Sequence, residues 1–177
     1  PRLATLAALR RRGITPEAIR RLIIDVGPRT VDAVLSWDNL YAHNRKIVDP
    51  TANRYFFVRD PIELRVKNVP HTFAAQMRLH PDQPERGSRR FEIRLEGGEA
   101  SFRVSSDDLD ILGKGKIIRF MGLFNFRVES VERRLIEALF HSEAYEEAKK
   151  LSVPLIHWIP ADTGIPCEAV SYTHLRA

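Results

Sequence analysis

The chain has little cysteine and no long hydrophobic run. Among its 177 residues Cys167 is the single cysteine, so no disulfide can form within the chain. This composition suits a reducing compartment. No apolar stretch approaches the roughly 20 residues that cross a bilayer, and no basic start followed by an apolar segment predicts a signal peptide. We therefore expect a cytoplasmic protein that does not enter a membrane.

Side-chain groupings that carry catalysis are also missing from the sequence. The six histidines lack metal-ligand spacing, and Cys167 has no cysteine partner. The segment 113–116 lacks the glycine spacing and the Ser or Thr of a phosphate loop, which favours a turn with two exposed lysines. The acidic run 107–110 could bind a cation, but it is more typical of a turn or a helix start. We expect no catalytic residue, metal or cofactor in this chain.

Positive charge is abundant and unevenly distributed. The formal net charge is +5 and the isoelectric point is about 9.7. Residues 1–60 contain 11 Lys and Arg against 6 Asp and Glu, whereas residues 61–177 contain 17 of each. The whole positive excess therefore lies in the first third, which indicates an anionic partner. A solvated basic helix surface is the alternative.

Three helices are predicted in that first third. Leucines at three-residue spacing predict a first helix that ends at Arg10–Arg12 and Gly13: Leu3, Leu6 and Leu9. Thr15 and Pro16 predict the start of a second helix, whose apolar stripe is Ile19, Leu22, Ile23 and Val26. Ser36 predicts the N-cap of a third helix that ends before Asp49-Pro50.

Beyond residue 54 the hydrophobic period changes to two, which predicts strands. The predicted strands are Tyr55–Val58, Ile62–Val66, Ala74–Leu79, Phe91–Leu95, Phe102–Val104, Ile117–Met121, Phe124–Val128 and Leu155–Ile159. An amphipathic helix is predicted over Leu135–Leu151. Several short strands separated by turn signals favour a barrel or a sandwich.

The two ends of the sequence look unlike those of a natural protein. The chain begins at Pro1 rather than at methionine, and residues 171–177 continue no pattern before them. We interpret this tail as non-native read-through and exclude it from the fold. We expect a fragment of a longer protein, with native sequence up to about Val170.

Several stretches resemble class I glutamyl- and glutaminyl-tRNA synthetases. The matching stretches are Pro1–Leu6, Leu9–Ile19, Ser36–Pro50, Ala52–Val58, Leu123–Phe126 and Ile156–Trp158. The first two are similar to the passage just downstream of the lysine-containing signature loop of that family. The next two resemble the archaeal glutamyl branch, and the last two resemble the anticodon-binding barrels.

This resemblance implies an α+β fold with a division of labour along the chain. Residues 1–54 would form a helical connecting segment that contacts tRNA. Residues 55–152 would form an antiparallel anticodon-binding β-barrel with a C-terminal helix, related to barrels of ribosomal proteins. Residues 153–170 would start a second, distal barrel.

The resemblance also implies a function. The parent enzyme would join glutamate to its tRNA with ATP and magnesium, using a catalytic domain upstream in the same polypeptide. The fragment would bind glutamate-accepting tRNA and charge none. A glutaminyl enzyme, a stand-alone module for ribosomal RNA and a protein-binding scaffold are the alternatives.

The candidate tRNA-binding residues are cations and one amide on the predicted helices and turns: Arg10, Arg11, Arg12, Arg20, Asn44, Arg45, Lys46, Arg54, Lys114 and Lys116. Favourable placement near helix C-termini is the structural alternative for the helical cations. Trp158 could stack on a base, but its apolar neighbours favour the core.

Overall fold

Local capping signals determine where the three N-terminal helices begin. The computed structural model describes residues 5–28 and 35–167. Helices α1 (Leu6–Arg11), α2 (Pro16–Val26) and α3 (Trp37–Val48) each start after a hydroxyl residue that accepts a backbone N–H: Thr5, Thr15 and Ser36. A 3₁₀ turn, Asp49–Thr51, follows α3. The predicted caps at Thr15 and Ser36 are confirmed.

The helices form one unit with a small core of their own. Its buried residues are Ile14, Ala18, Leu22 and Leu40. Leu6 and Ile23, which were predicted on apolar stripes, are instead exposed, by 74% and 59%. The buried line of α2 runs through Ala18 and Leu22, and Ile23 is rotated about 100° from Leu22. Leu3 lies outside the described residues.

Residues 54–167 form a separate β-rich unit. Its strands are β1 (Ile62–Lys67), β2 (Ala74–Arg78), β3 (Ser88–Glu92), β4 (Ala100–Val104), β5 (Ile117–Phe120), β6 (Asn125–Val131), β7 (Leu135–Ser142), β8 (Leu155–Ile156) and β9 (Ile159–Pro160). A short helix, α4 (Tyr145–Lys150), lies between β7 and β8. Short 3₁₀ turns occur at Pro84–Arg86 and Ser106–Asp108.

Seven of these strands form one sheet in the order β8-β5-β6-β7-β1-β4-β9, and β2 pairs with β3 in a separate hairpin. The ladders β1–β7 and β5–β8 are parallel, and the other ladders of the large sheet are antiparallel. The predicted α+β architecture is confirmed. The sheet is mixed rather than wholly antiparallel.

A single stretch of chain joins the two edges of the large sheet. Edge strands β8 and β9 are separated by two residues, His157 and Trp158, so the sheet curls until its edges lie next to each other. Trp158 points inward and is fully buried. The prediction that Trp158 belongs to the core is confirmed.

Aromatic rings fill the interior of this curled sheet. Phe102, Phe120, Phe124 and Phe126 are fully buried with Trp158. Their ring centroids lie 4.4 to 6.0 Å apart in tilted and edge-on arrangements. These are favourable geometries for aromatic quadrupoles, and each ring also buries a large apolar surface.

The helix predicted over Leu135–Leu151 is largely wrong. Leu135–Ser142 is strand β7, paired with β6 on one side and β1 on the other, and only six residues of α4 are helical. Ile136 and Ala138 are buried at alternate positions. Leu, Glu and Ala favour a helix locally, but pairing on both sides overrides that preference.

Three predicted strands also need correction. Tyr55–Val58 belongs to no ladder; Tyr55 and Phe57 are exposed, and Phe56 packs against the core. The strand predicted at Phe91–Leu95 is displaced toward the N-terminus: β3 begins at Ser88 and ends at Glu92, where β2 supplies its partner. The strand predicted at Leu155–Ile159 is interrupted by two residues, which separate β8 from β9.

The predicted boundary at residue 153 has no counterpart in the described part of the chain. Strands β8 and β9 pair with β5 and β4 of the first sheet, and residues up to 167 belong to its unit. Residues 168–177 lie outside the described residues. The start of a second barrel over residues 153–170 and the non-native tail over residues 171–177 stay predictions.

Candidate nucleic-acid interface

Five of the predicted RNA-binding cations are exposed on the helical unit. Arg10 and Arg11 occupy the last turn of α1, and Arg45 and Lys46 occupy the last turn of α3. Arg20 is exposed on α2. Guanidinium and ammonium groups at such positions can contact phosphates, and they also offset the negative end of the helix dipole.

Arg12 differs from the other two arginines of its run. It is the C-cap residue of α1 and is half-buried, with its guanidinium carbon 5.2 Å from the ring centroid of Trp37. Part of this side chain therefore packs inside the helical unit. Among the three consecutive arginines, Arg10 and Arg11 are the more available to a ligand.

Asn44 connects α3 to the turn between α1 and α2. Its Oδ1 accepts the Thr15 backbone N–H at 2.8 Å, and its Nδ2 donates to the Gly13 carbonyl at 3.0 Å. The cationic ends of α1 and α3 are thereby held on adjoining elements. One oxygen lone pair and one amide hydrogen remain for another partner, so an RNA contact by Asn44 stays a prediction.

We expect Asn44→Ala to destabilise the helical unit by about 1–3 kcal/mol, because it leaves the Thr15 N–H and the Gly13 carbonyl without their partner. Chemical denaturation followed by the fluorescence of Trp37, in a background where Trp158 is replaced by phenylalanine, measures this loss. Arg45→Ala, at the neighbouring exposed position, is the control and should change stability by less than about 0.5 kcal/mol. Equal stabilities for the two variants would remove the bridging role of Asn44.

The other predicted cations lie on the β unit. Arg54 is exposed, and its backbone N–H donates to the Leu79 carbonyl at 2.7 Å. Lys114 and Lys116 are exposed on the predicted glycine turn, where Gly115 has φ of 80° and the Lys116 N–H donates to the Gly113 carbonyl. The predicted turn is confirmed, and the contact of these lysines with RNA stays a prediction.

A cleft of about 1310 Å³ at one side of the β unit contains five arginines: Arg65, Arg94, Arg103, Arg133 and Arg134. Five carboxylates line the same cleft. Arg65 lies 2.7 Å from Glu63, and Arg94 lies 3.5 Å from Asp162. Because the two signs balance, the cleft as a whole has no excess attraction for an anion.

Some cations of the β unit are already neutralised on the outer face of β1 and β7. Lys67 Nζ lies 2.8 Å from Glu137 Oε1. The hydrogen bond and the charge of the partner raise the pKa of Lys67 and lower the pKa of Glu137. This pair stabilises neighbouring parallel strands and leaves less positive charge for a ligand.

Sequence reasoning did not find the contact between Tyr55 and Arg89. The Arg89 guanidinium carbon lies 4.0 Å from the Tyr55 ring centroid. The two residues are far apart in sequence, and no local pattern connects them. The only feature of the sequence that could have indicated a basic hairpin is the dipeptide Arg89-Arg90, which follows the turn at Gly87.

No three His, Cys, Asp or Glu side chains converge to hold a metal ion within residues 5–28 and 35–167. The same residues include no helix that is long and apolar enough to cross a bilayer.

Most of the β unit matches a known protein domain family. Residues 52–142 match the family described as the anticodon-binding domain of class I tRNA synthetases for E and Q. The chain belongs to this family. The matched segment of this synthetase domain runs from just before Tyr55 to the end of β7, and it includes Arg54, Lys114 and Lys116.

Curated relatives extend the similarity over nearly the whole chain. A glutamate–tRNA ligase of Pyrococcus abyssi is 52% identical over 170 residues, which is 96% of this chain and 28% of the relative. Glutamate–tRNA ligases of Methanopyrus kandleri and Pyrococcus horikoshii are 43% and 50% identical, each over 96% of this chain and 29% of the relative. This chain therefore spans less than a third of the length of the relatives it matches. The helical cations lie outside the family match but within the span of these alignments.

Proposed function

We propose that this chain is the tRNA-binding section of a glutamate–tRNA ligase, in which it binds glutamate-accepting tRNA. The observation that carries this proposal is the anticodon-binding family match over residues 52–142, which falls on the curled sheet. Similarity to glutamate–tRNA ligases over 96% of the chain supports the choice of glutamate. In this proposal the barrel contacts the anticodon end and the basic helices contact the backbone of the same tRNA.

The chemistry of the parent enzyme belongs to another part of the polypeptide. ATP, with magnesium, would supply the activation of glutamate. The described residues neither converge into a metal-binding group nor contain a phosphate loop, so they do not fit that site. We place these steps in a catalytic domain upstream of this chain, and we place the enzyme in the cytoplasm.

The test of this proposal is salt-dependent binding of a glutamate tRNA transcript to the full chain. Phosphate contacts release counterions, so each contact contributes about −0.7 to −0.9 to the slope of log K against log salt. If both Arg45 and Lys46 contact phosphates, replacing them with alanine should make this negative slope shallower by about 1 to 2. The dissociation constants that give this slope are measured by fluorescence anisotropy at salt concentrations between 50 and 300 mM.

The matched control replaces Arg133 and Arg134 with alanine, which removes the same charge from the electrically balanced cleft. This variant should keep the slope of the unmodified chain. A fragment of ribosomal RNA of equal length serves as the competitor. Failure of the unmodified chain to bind the tRNA at 50 mM salt, or binding of both RNAs with equal affinity, would overturn the proposed function.

A further inference from the structure

Tyr55 is an exposed aromatic residue in contact with an arginine that is itself fixed by other contacts. The residue is 61% exposed, the largest exposed fraction among the aromatic side chains that the structure describes. The Arg89 guanidinium carbon lies 4.0 Å from its ring centroid. This distance lies within the range of a cation–π contact, and the guanidinium carbon lies over the ring.

Several contacts hold Arg89 in this position. Its Nη2 donates to the Arg54 carbonyl at 2.7 Å, directly before Tyr55 in the chain. Its guanidinium carbon also lies 5.8 Å from the centroid of the Phe91 ring, so the cation contacts two aromatic side chains. The Arg89 Nε is shielded from solvent and has no hydrogen-bond partner within the described residues. The guanidinium is therefore partly desolvated, which strengthens its attraction to the rings.

The support continues into the core of the β unit. The Phe91 ring is parallel to the Phe56 ring within 2°, with centroids 6.3 Å apart, and both rings meet Trp158 edge-on. Tyr55 is thus the exposed end of a connected series of stacked groups that reaches the buried indole. The segment that carries it is fixed to the hairpin by the bond from the Arg54 N–H to the Leu79 carbonyl.

Single exposed aromatic residues are common on protein surfaces and by themselves indicate nothing. Phe57 provides the comparison within this chain. It is 47% exposed and lies two residues further along the chain, yet no ring or cation contact to it occurs among the described residues. Tyr55 differs because its ring is held by a cation, which reduces the conformational entropy lost when a ligand stacks on it.

We propose that Tyr55 and Arg89 together form a stacking platform for one unpaired nucleobase of the anticodon loop. This inference rests on the proposed function, because it assigns a part of that RNA to a defined pair of side chains. An aromatic face accepts any base, and single-stranded RNA is recognised largely through such stacking. The platform therefore contributes affinity for an unstacked base, while base identity is read by other groups.

The test uses the full chain and a 17-nucleotide hairpin with the anticodon stem-loop sequence of a glutamate tRNA. In separate hairpins 2-aminopurine replaces each loop base in turn. Stacking of one base on Tyr55 should quench the fluorescence of that 2-aminopurine on binding. Tyr55→Leu should abolish this quenching and weaken hairpin binding about tenfold, as expected for the loss of one stacked base. Tyr55→Phe keeps the ring and should bind within about twofold of the unmodified chain.

Phe57→Leu is the matched control at a neighbouring exposed aromatic position and should leave both readouts unchanged. Arg89→Lys, which keeps the charge but loses the planar group, should lose part of the quenching. Equal losses in the Tyr55→Leu and Phe57→Leu variants, or binding of the unmodified chain that is insensitive to Tyr55→Leu, would overturn the platform and leave the proposed function standing. Absence of any tRNA binding by the unmodified chain would overturn both.

Discussion

Replacing Trp158 with alanine should lower the free energy of unfolding of the β unit by about 3–5 kcal/mol, the cost typical of removing a large buried aromatic side chain. The indole is fully buried, and its Nε1–H donates to the Met121 carbonyl at 3.0 Å. It lies in the short stretch that joins the two edges of the sheet. The cavity would therefore form where the sheet edges meet. Urea unfolding followed by far-ultraviolet circular dichroism measures the loss.

Trp158→Phe separates packing from the hydrogen bond. Phenylalanine keeps most of the aromatic volume but leaves the Met121 carbonyl without its donor, so we expect a smaller loss of about 1–3 kcal/mol. Tyr145→Phe, at an exposed position of the same unit, should be neutral within about 0.5 kcal/mol. A loss of less than about 1 kcal/mol for the alanine variant would show that the sheet edges hold together without the indole.

Replacing Arg119 with methionine should cost the β unit about 3 kcal/mol or more, because several buried acceptors lose a charged donor together. Arg119 is only 6% exposed. It donates to Asn125 Oδ1 at 2.9 Å and to the carbonyls of Leu123 and Glu143 at 3.1 Å. Burial lowers its pKa, yet a guanidinium remains charged in proteins. The Arg119 charge is therefore stabilised mainly by carbonyl and amide dipoles. Its hydrogen bonds to these groups connect β5 to β6 and to the residues just before α4.

Thermal and urea unfolding of Arg119→Met measure this loss, with Arg127→Met on the exposed face of β6 as the control. Arg127→Met should lie within about 0.5 kcal/mol of the unmodified chain. Arg119→Lys keeps a charge but cannot reach several acceptors at once, so its stability should fall between the two. If Arg119→Met were as stable as the control, an apolar side chain would be an adequate replacement, as occurs for some buried ion pairs.

The parts of the fold that depend on local chemistry could be predicted from the sequence. Thr15 and Ser36 cap helices where their hydroxyls reach the next turn, and Gly115 permits the turn that carries Lys114 and Lys116. Leu135–Ser142 was wrongly predicted as helix because its state depends on partners 70 or more residues away in β1. Local preference cannot show such pairing.

The same distinction applies to the candidate interface. The surplus of cations in the first 60 residues could be counted directly, and the exposed positions of Arg10, Arg11, Arg45 and Lys46 agree with it. The two hydrogen bonds from Asn44 to the α1–α2 turn and the contact of Arg89 with the Tyr55 ring could not be predicted. Each joins residues about 30 positions apart in the sequence. The resemblance to the synthetases gave the family, and the structure supplied the contacts.

The stretch Leu155–Pro160 has a consequence for how the chain is made. A ribosome releases the protein from its N-terminal end, so β5 and β4 emerge before the residues that cover their free edges. Until residue 160 has left the exit tunnel, two rows of unpaired backbone groups remain available to other nascent chains. A truncated protein that ends before Leu155 would leave these strand edges permanently unpaired and would be prone to aggregate.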